Sequence, residues 1–261
     1  SLSYFVDMYA SIAQWQAVVD RLTGFGLHMA GMKAENPQIN LNRITTESNK
    51  LKVRHMNLEL PNGDVLLRDI SFALEAGSNV LVKGTSGSGK STLLRAIAGI
   101  WPYVNGEIEL PEKEKIMFVP QKPYLPLGTL REALLYPGTR QKTDEELIAL
   151  LELCKIESLA GNLDMEADWS HVLSIGEQQR LAFVRAIIYE PDWLFLDEAT
   201  SALDEDTEKV MYKLLEERLT ETTVVSIGHR STLNKFHSLE IKLDKITASA
   251  VLQKINRESI N

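Results

Sequence analysis

Nine consecutive residues, Gly84-Thr85-Ser86-Gly87-Ser88-Gly89-Lys90-Ser91-Thr92, constrain this chain more than any other stretch. They fit the pattern G-x-x-x-x-G-K-[ST], which at about 7% glycine usage arises by accident in about one chain in a hundred of this length. Their neighbours narrow the reading further. Asn79-Val80-Leu81-Val82 is an apolar, β-branched run that reads as a buried strand, and Ser91 to Ile97 is a good helix former. A strand, a glycine-rich loop and a helix in that order are what a phosphate-binding loop needs. The glycines let successive backbone N–H groups point into one concavity, and the helix adds the positive end of its dipole. Lys90 supplies a point charge for the β- and γ-phosphates of a nucleotide, and the Ser91 hydroxyl is placed to ligate Mg²⁺.

The rest of the composition bounds the problem. With 261 residues, 44% hydrophobic and 25% charged, the chain is long enough for one large globular domain with a substantial core. A net charge of −8 offers no basic stripe for nucleic acid, so no nucleic-acid partner is expected. The single cysteine, Cys154, excludes an internal disulfide framework, and its leucine neighbours make it a buried structural thiol. No apolar run approaches the roughly 18 residues that span a bilayer, and no signal peptide opens the chain, so taken alone it reads as soluble.

The opening segment differs from the rest of the chain. Phe5, Met8, Tyr9, Ile12, Trp15, Val19 and Leu22 recur at helical spacing, predicting one amphipathic helix within residues 1–32 that stops near Gly24 and Gly26. Residues 33–50, polar and carrying Pro37, read as a linker. The start without Met is expected of a piece cut from something longer. From Leu51 to Val82 the pattern is β, with Leu51/Val53, Met56/Leu58/Leu60 and Ile70/Phe72/Leu74 separated by turn residues. The later runs 116–119, 193–196 and 223–227 are short and apolar, and helical stretches lie between them. That is the pattern of a parallel sheet covered on both faces. Between 123 and 189 the reading is mostly helical, with helices over 129–136, 143–153 and 177–189. The expected fold is α/β, with an N-terminal antiparallel β-subdomain, a parallel sheet covered by helices and an inserted helical subdomain.

Trp193-Leu194-Phe195-Leu196-Asp197-Glu198 is an apolar strand ending in two carboxylates. At the carboxyl end of a strand, Asp197 faces a bound nucleotide and its Mg²⁺, and Glu198 can deprotonate an attacking water.

The ordered set of motifs resembles the nucleotide-binding domain of the ATP-binding cassette (ABC) family. Leu173-Ser174-Ile175-Gly176-Glu177-Gln178-Gln179-Arg180 resembles the family signature. Gln121 stands where the family has its Q-loop glutamine, Ser201-Ala202-Leu203-Asp204 matches the D-loop, and His229 matches the switch histidine. The resemblance covers residues 51–245, followed by a tail over 246–261. It implies a P-loop ATPase using ATP and Mg²⁺, in which Ser174 and Gly176 contact a γ-phosphate held by a second copy of the chain in a head-to-tail homodimer. It further implies that His229 contacts the γ-phosphate and the catalytic water, that Gln121 links the metal site to the helical subdomain, and that Asp204 works across the dimer interface. His28, His55, His171 and His237 carry no such motif and read as ordinary surface or core histidines.

Two features depart from the family pattern. Ile175 and Glu177 replace the commonest glycine and glutamine of the signature, with Ser174 and Gly176 retained. Leu60 stands where an adenine-stacking aromatic is usual, with no Tyr, Phe or Trp between Leu51 and Ser71, so base selectivity is expected to be loose. Residues 120–131 and 168–174 look like the fused permease–ATPase half-transporters related to peroxisomal fatty-acyl carriers (subfamily D), and still more like bacterial BacA-like peptide and cobalamin transporters. The opening helix resembles the cytoplasmic end of the last permease helix in that group. This implies a motor domain at the cytoplasmic face of a membrane, the bacterial inner membrane, with its permease on the same polypeptide. The competing class is a soluble, non-transporting cassette ATPase of the translation or DNA-repair type. A non-enzymatic nucleotide-binding module is disfavoured by Glu198 and His229.

Overall fold

The computed structural model describes residues 2–34, 40–112, 115–138 and 140–255. Pro37, the tail beyond 255, and the side chains of Phe5 and His28 lie outside the described residues and side chains. Two units divide the chain at residue 39. The first is a single helix, α1 (Leu2–Ala34), which runs through Gly24 and Gly26 instead of stopping there. Glycine disfavours a helix by only about 1 kcal/mol per residue, which the surrounding helix formers offset. Met8, Tyr9, Ile12, Trp15, Leu22 and Phe25 on α1 are exposed. No helix among the described residues is long and apolar enough to cross a membrane.

The second unit holds the site. Its larger sheet is built on β4 (Val80–Gly84), β6 (Ile116–Val119), β9 (Trp193–Asp197), β10 (Thr223–Ile227), β11 (Leu239–Asp244) and β12 (Ser249–Lys254), in the order β12-β11-β4-β10-β9-β6. All neighbours are parallel except the β11–β12 pair. The apolar runs are continuous because both faces are covered. Leu81, Leu194, Leu196 and Val224 face one core, while Val80, Val82, Trp193, Phe195, Val225 and Ile227 face the other. Burying each such side chain contributes about 1.5–3 kcal/mol. β12 falls in the stretch expected to be a tail; it closes the sheet as an edge strand.

A second sheet has the order β1-β5-β2-β3, from β1 (Asn40–Thr46), β2 (Lys50–Glu59), β3 (Val65–Glu75) and β5 (Val104–Pro111). It is mixed, since β1 runs parallel to β5 while the β2 pairings are antiparallel. β1 lies inside the stretch expected to be a linker, and β2 is one bulged strand where two short ones were expected. Leu60 comes just after it, in the turn where its N–H donates to Asp64 O at 2.8 Å.

The helical lobe contains α3 (Leu130–Leu135), α4 (Asp144–Leu153), α5 (Trp169–Val172) and α6 (Ile175–Tyr189), close to the expected spans, with a two-stranded ladder of β7 (Gly128–Thr129) and β8 (Glu166–Ala167). Three of its helices begin in capping boxes, Thr129/Glu132, Thr143/Glu146 and Ser174/Glu177. Removing such a cap costs about 1 kcal/mol. Cys154 is fully buried, and desolvation pushes its thiol up to about 12, which fits a structural role. Two further α-helices among the described residues are α2 (Lys90–Ala98) after the phosphate loop and α7 (Glu205–Arg218) after β9.

Candidate functional site

Parallel register brings the motifs to one place. Val82 on β4 pairs with Ile227 on β10, which pairs with Asp197 on β9, and Leu196 pairs with Val119 on β6. The four neighbouring strands therefore end together. The phosphate loop, Asp197-Glu198, His229 and Gln121 all leave from this carboxyl edge, where open α/β sheets bind ligands.

The loop from Gly84 to Gly89 leaves β4 and enters α2 at two positions that favour glycine. Gly84 has φ 159°, and a Cβ there would lie 2.5 Å from Ser88 Oγ and 2.9 Å from Leu243 O. Gly89 caps α2 in the left-handed region at φ 91°. Thr85, Ser86 and Gly87 form the turn between them, and Ser91 and Thr92 begin α2 just after Lys90. Lys90 is 6% exposed, and its Nζ donates to Gly84 O at 3.0 Å and Thr85 O at 3.1 Å, stapling the loop around its own ammonium. Burial lowers the Lys90 pKa, partly offset by the charges of Glu198 and Asp197. Ser88 Oγ is buried without a hydrogen-bond partner. An ammonium, a donor left over and a helix N-terminus together fit a phosphate chain.

Ser91 Oγ donates to Asp197 Oδ1 at 2.7 Å, a hydroxyl and a carboxylate that suit a hard cation. Burial raises the Asp197 pKa, an effect the Ser91 hydrogen bond opposes. No cluster of three or more His, Cys, Asp or Glu among the described residues could cage a metal without help. A divalent cation held by this pair would need further oxygen ligands from a bound phosphate or water.

Glu198 follows the end of β9 and has φ 51°, an uncommon left-handed conformation for a residue with a side chain. Its N–H donates to Ile227 O at 3.2 Å, which holds the turn against the next strand. Such strain persists only where the surroundings impose it, and it collects at functional sites. His229 Nε2 lies 3.3 Å from Glu198 Oε1, and both line a cleft with Ser201, Glu208 and Arg230. Gln121 comes just after β6, where its Nε2 donates to Ser201 Oγ at 3.4 Å.

The signature segment caps α6. Ser174 Oγ and N–H both donate to Glu177 Oε2, at 2.6 and 2.9 Å, and Glu177 N–H returns to Ser174 Oγ at 3.3 Å. The glutamate that departs from the commonest family form is thus the N3 residue of a capping box, and the Ser174 hydroxyl holds its pKa down. Gly176 sits in the first turn, where a Cβ would contact Ala202 O at 3.4 Å. Asp204 caps α7, accepting from Thr207 N–H and Oγ1 at 2.8 Å each.

Sequence reasoning missed the polar floor under this cleft. Glu208, 2% exposed, accepts from Thr200 Oγ1 at 2.6 Å and Thr232 Oγ1 at 2.9 Å, with Arg230 Nη1 at 3.5 Å. Arg230 Nη2 donates to Leu203 O at 2.7 Å. One carboxylate therefore ties the segments after β9 and β10 to α7. The signal was present in Glu208, Met211, Tyr212 and Leu215, a helical stripe of core spacing that contains a charge. His237 Nε2 meets Ser226 Oγ at 3.0 Å.

Among the described side chains of the histidines set aside, His237 is buried, while His55 and His171 are exposed and pair with Asp69 and Asp168. His237 Nδ1 donates to Leu233 O at 2.7 Å. Desolvation lowers its pKa to about 4 from an ordinary 6.5. The folded state resists protonation that the unfolded chain accepts, so stability is full above about pH 6.5 and falls through the window down to about pH 4. The loss between about pH 7 and about pH 5 should be on the order of 2 kcal/mol. Chemical unfolding of wild type and His237→Gln at both pH values checks this. The variant should show a smaller acid loss, and an equal loss would remove His237 as the cause.

Residues 67–201 match the ABC transporter family profile. The chain is 39% identical over 244 residues to an uncharacterised ABC transporter ATP-binding protein of Haemophilus influenzae, covering 94% of this chain and 41% of that protein. A protein of the same description from Synechocystis is 41% identical over 248 residues, covering 91% and 37%. Human ATP-binding cassette sub-family D member 3 is 37% identical over 210 residues, covering 77% and 32%. This chain thus spans about two-fifths or less of the length of each. A phosphate loop stapled by Lys90, a Ser91–Asp197 pair and a Glu198–His229 pair on one sheet edge agree with these likenesses, and the chain belongs to the ABC transporter family as an ATP-binding domain.

Proposed function

We propose that this chain is the ATP-hydrolysing motor of a membrane transporter, converting ATP and water to ADP and phosphate. The observation that carries the proposal is the Glu198–His229 pair at 3.3 Å, beside the Ser91–Asp197 pair at 2.7 Å. In this reading Lys90 and the loop N–H groups hold the phosphates, and Ser91, Asp197 and Gln121 hold Mg²⁺. When bound, Mg²⁺ neutralises charge on the β- and γ-oxygens. Glu198 accepts a proton from the water whose oxygen attacks the γ-phosphorus, while the bond from that phosphorus to the bridging oxygen breaks and ADP leaves. His229 orients Glu198 and the water.

The motif-bearing part of the domain is residues 51–245, flanked by β1 and β12 in the same two sheets, with its helical lobe at about 123–189, and a second copy completes each ATP through Ser174, Gly176 and Asp204. α1 is the cytoplasmic end of a permease helix on the same polypeptide, at the cytoplasmic face of a bacterial inner membrane. Its exposed Tyr9, Trp15 and Phe25 support that reading, as do relatives more than twice as long. Acidity over the whole chain supports the absence of a nucleic-acid partner.

Phosphate release from ATP tests the activity. It should require Mg²⁺, stop on chelation and return when Mg²⁺ is restored. Release unaffected by chelation would contradict the assigned Ser91 and Asp197 roles.

A further inference from the structure

Gln179 lies on α6, one turn beyond the Ser174 cap, and is completely buried. Its side-chain amide meets two separate segments. Nε2 donates to Gln121 O at 2.9 Å and to Ser201 Oγ at 3.1 Å, with Glu198 O at the outer limit of 3.5 Å. Oε1 accepts from Ala202 N–H at 3.0 Å. That last bond fixes which way the amide faces, because only its oxygen can accept from a backbone N–H.

The contacts connect what the chain order separates. Gln121 follows β6, Glu198 to Ala202 follow β9, and Gln179 itself belongs to the lobe that carries Ser174 and Gly176. The Gln121 side chain also donates to Ser201 Oγ at 3.4 Å, so Ser201 is shared by both glutamines. Each of these groups is in or beside the cleft, and a buried amide whose partners move apart leaves polar groups unsatisfied at about 1–3 kcal/mol each. Displacement of the lobe therefore either carries Gln121 and the Glu198–Ala202 turn with it or breaks these bonds.

We propose that Gln179 is a positioning residue for hydrolysis, the joint through which the helical lobe sets the Glu198 turn relative to Gln121. The proposal rests on the ATPase reading and adds to it a role for a residue of the signature segment that the reading leaves without one. Gln179 touches backbone and Ser201, and acts on the reacting atoms only through them.

The test is steady-state ATPase and fluorescent-ATP binding on the whole chain, for wild type, Gln179→Glu and Ser201→Ala. Gln179→Glu keeps an oxygen for Ala202 N–H and loses both donors. Its kcat should fall at least about tenfold, while KM and nucleotide affinity stay within about threefold, since no phosphate contact is removed. Ser201→Ala removes only the shared hydroxyl and should lower kcat about threefold with unchanged KM, which keeps the question answerable if Gln179→Glu does not fold. The double variant should lose less than the product of the two single losses, because both break the same link. Folded variants whose kcat stays within about twofold of wild type, or whose loss appears in KM alone, would overturn the proposal while leaving the ATPase reading intact. A wild-type chain that releases no phosphate would overturn both.

Discussion

Replacing Glu198 with glutamine should leave ATP bound and lower its hydrolysis by about 10²–10⁴-fold, the range expected when a general base is removed. The substitution keeps the volume of the side chain and its hydrogen-bonding reach to His229, 3.3 Å away, but removes the basic oxygen. The left-handed turn that presents residue 198 is set by the strand ending and by the N–H bond to Ile227 O, neither of which depends on the carboxylate. Nucleotide affinity should therefore be unchanged or slightly tighter, since one negative charge near the γ-phosphate is gone. Phosphate release and equilibrium nucleotide binding, measured on the same preparation, separate these effects. Hydrolysis at the wild-type rate would reject Glu198 as the base.

Lys90→Ala should act on binding itself. The ammonium is nearly buried and is held by two loop carbonyls, so its loss removes the phosphate counter-charge and also leaves Gly84 O and Thr85 O without their donor. A charge-assisted contact of this kind is worth on the order of 3 kcal/mol, or about a hundredfold in affinity. Titration with a fluorescent ATP analogue gives the value directly, with thermal unfolding as the control for folding. Affinity within about threefold of wild type would show that the loop N–H groups, not Lys90, carry the phosphate.

The two variants differ because Lys90 and Glu198 occupy different levels of the site, and the same distinction separates the features legible in the sequence from those that are not. A phosphate loop is local: Gly84, Gly89 and Lys90 do their work within a few residues of one another, so sequence spacing exposes it. The parallel sheet is nearly as legible, because Val80 to Val82, Trp193 to Leu196 and Thr223 to Ile227 are apolar on both faces and leave few other solutions. β1 was not legible. Asn40–Thr46 is polar and half-exposed along much of its length, and only its parallel pairing with β5, some 65 residues later, makes it a strand. β12 escaped for the same reason, as an edge strand whose identity comes from β11.

The long-range polar ties were hidden more deeply. Nothing near Gln179 in sequence announces that its amide will reach Gln121 and Ala202, and a buried Glu208 is visible only as a charge in an otherwise apolar helical stripe. Glu177 shows the opposite case. It is legible at once as a departure from the commonest signature, with phosphate contact expected to survive through the retained Ser174 and Gly176, and its work in the fold is to cap α6 through Ser174. The exposed surface of α1 is likewise a property of the folded chain. Its apolar residues are distributed beyond the single stripe that periodicity predicted, and Val18, Leu27 and Met29 are exposed alongside the expected Tyr9 and Trp15.

In the proposed reading, one ATP is completed by two copies of the chain. Fusion to a permease would keep the copies at high effective concentration, so the separate domain should associate weakly unless hydrolysis is blocked. Sedimentation of Glu198→Gln with and without MgATP is the direct measurement. A single copy of 29.3 kDa is expected without nucleotide and a species of twice that mass with it, reversed by Lys90→Ala in the same background. A Glu198→Gln chain that binds ATP yet remains a single copy at every concentration would contradict the shared site.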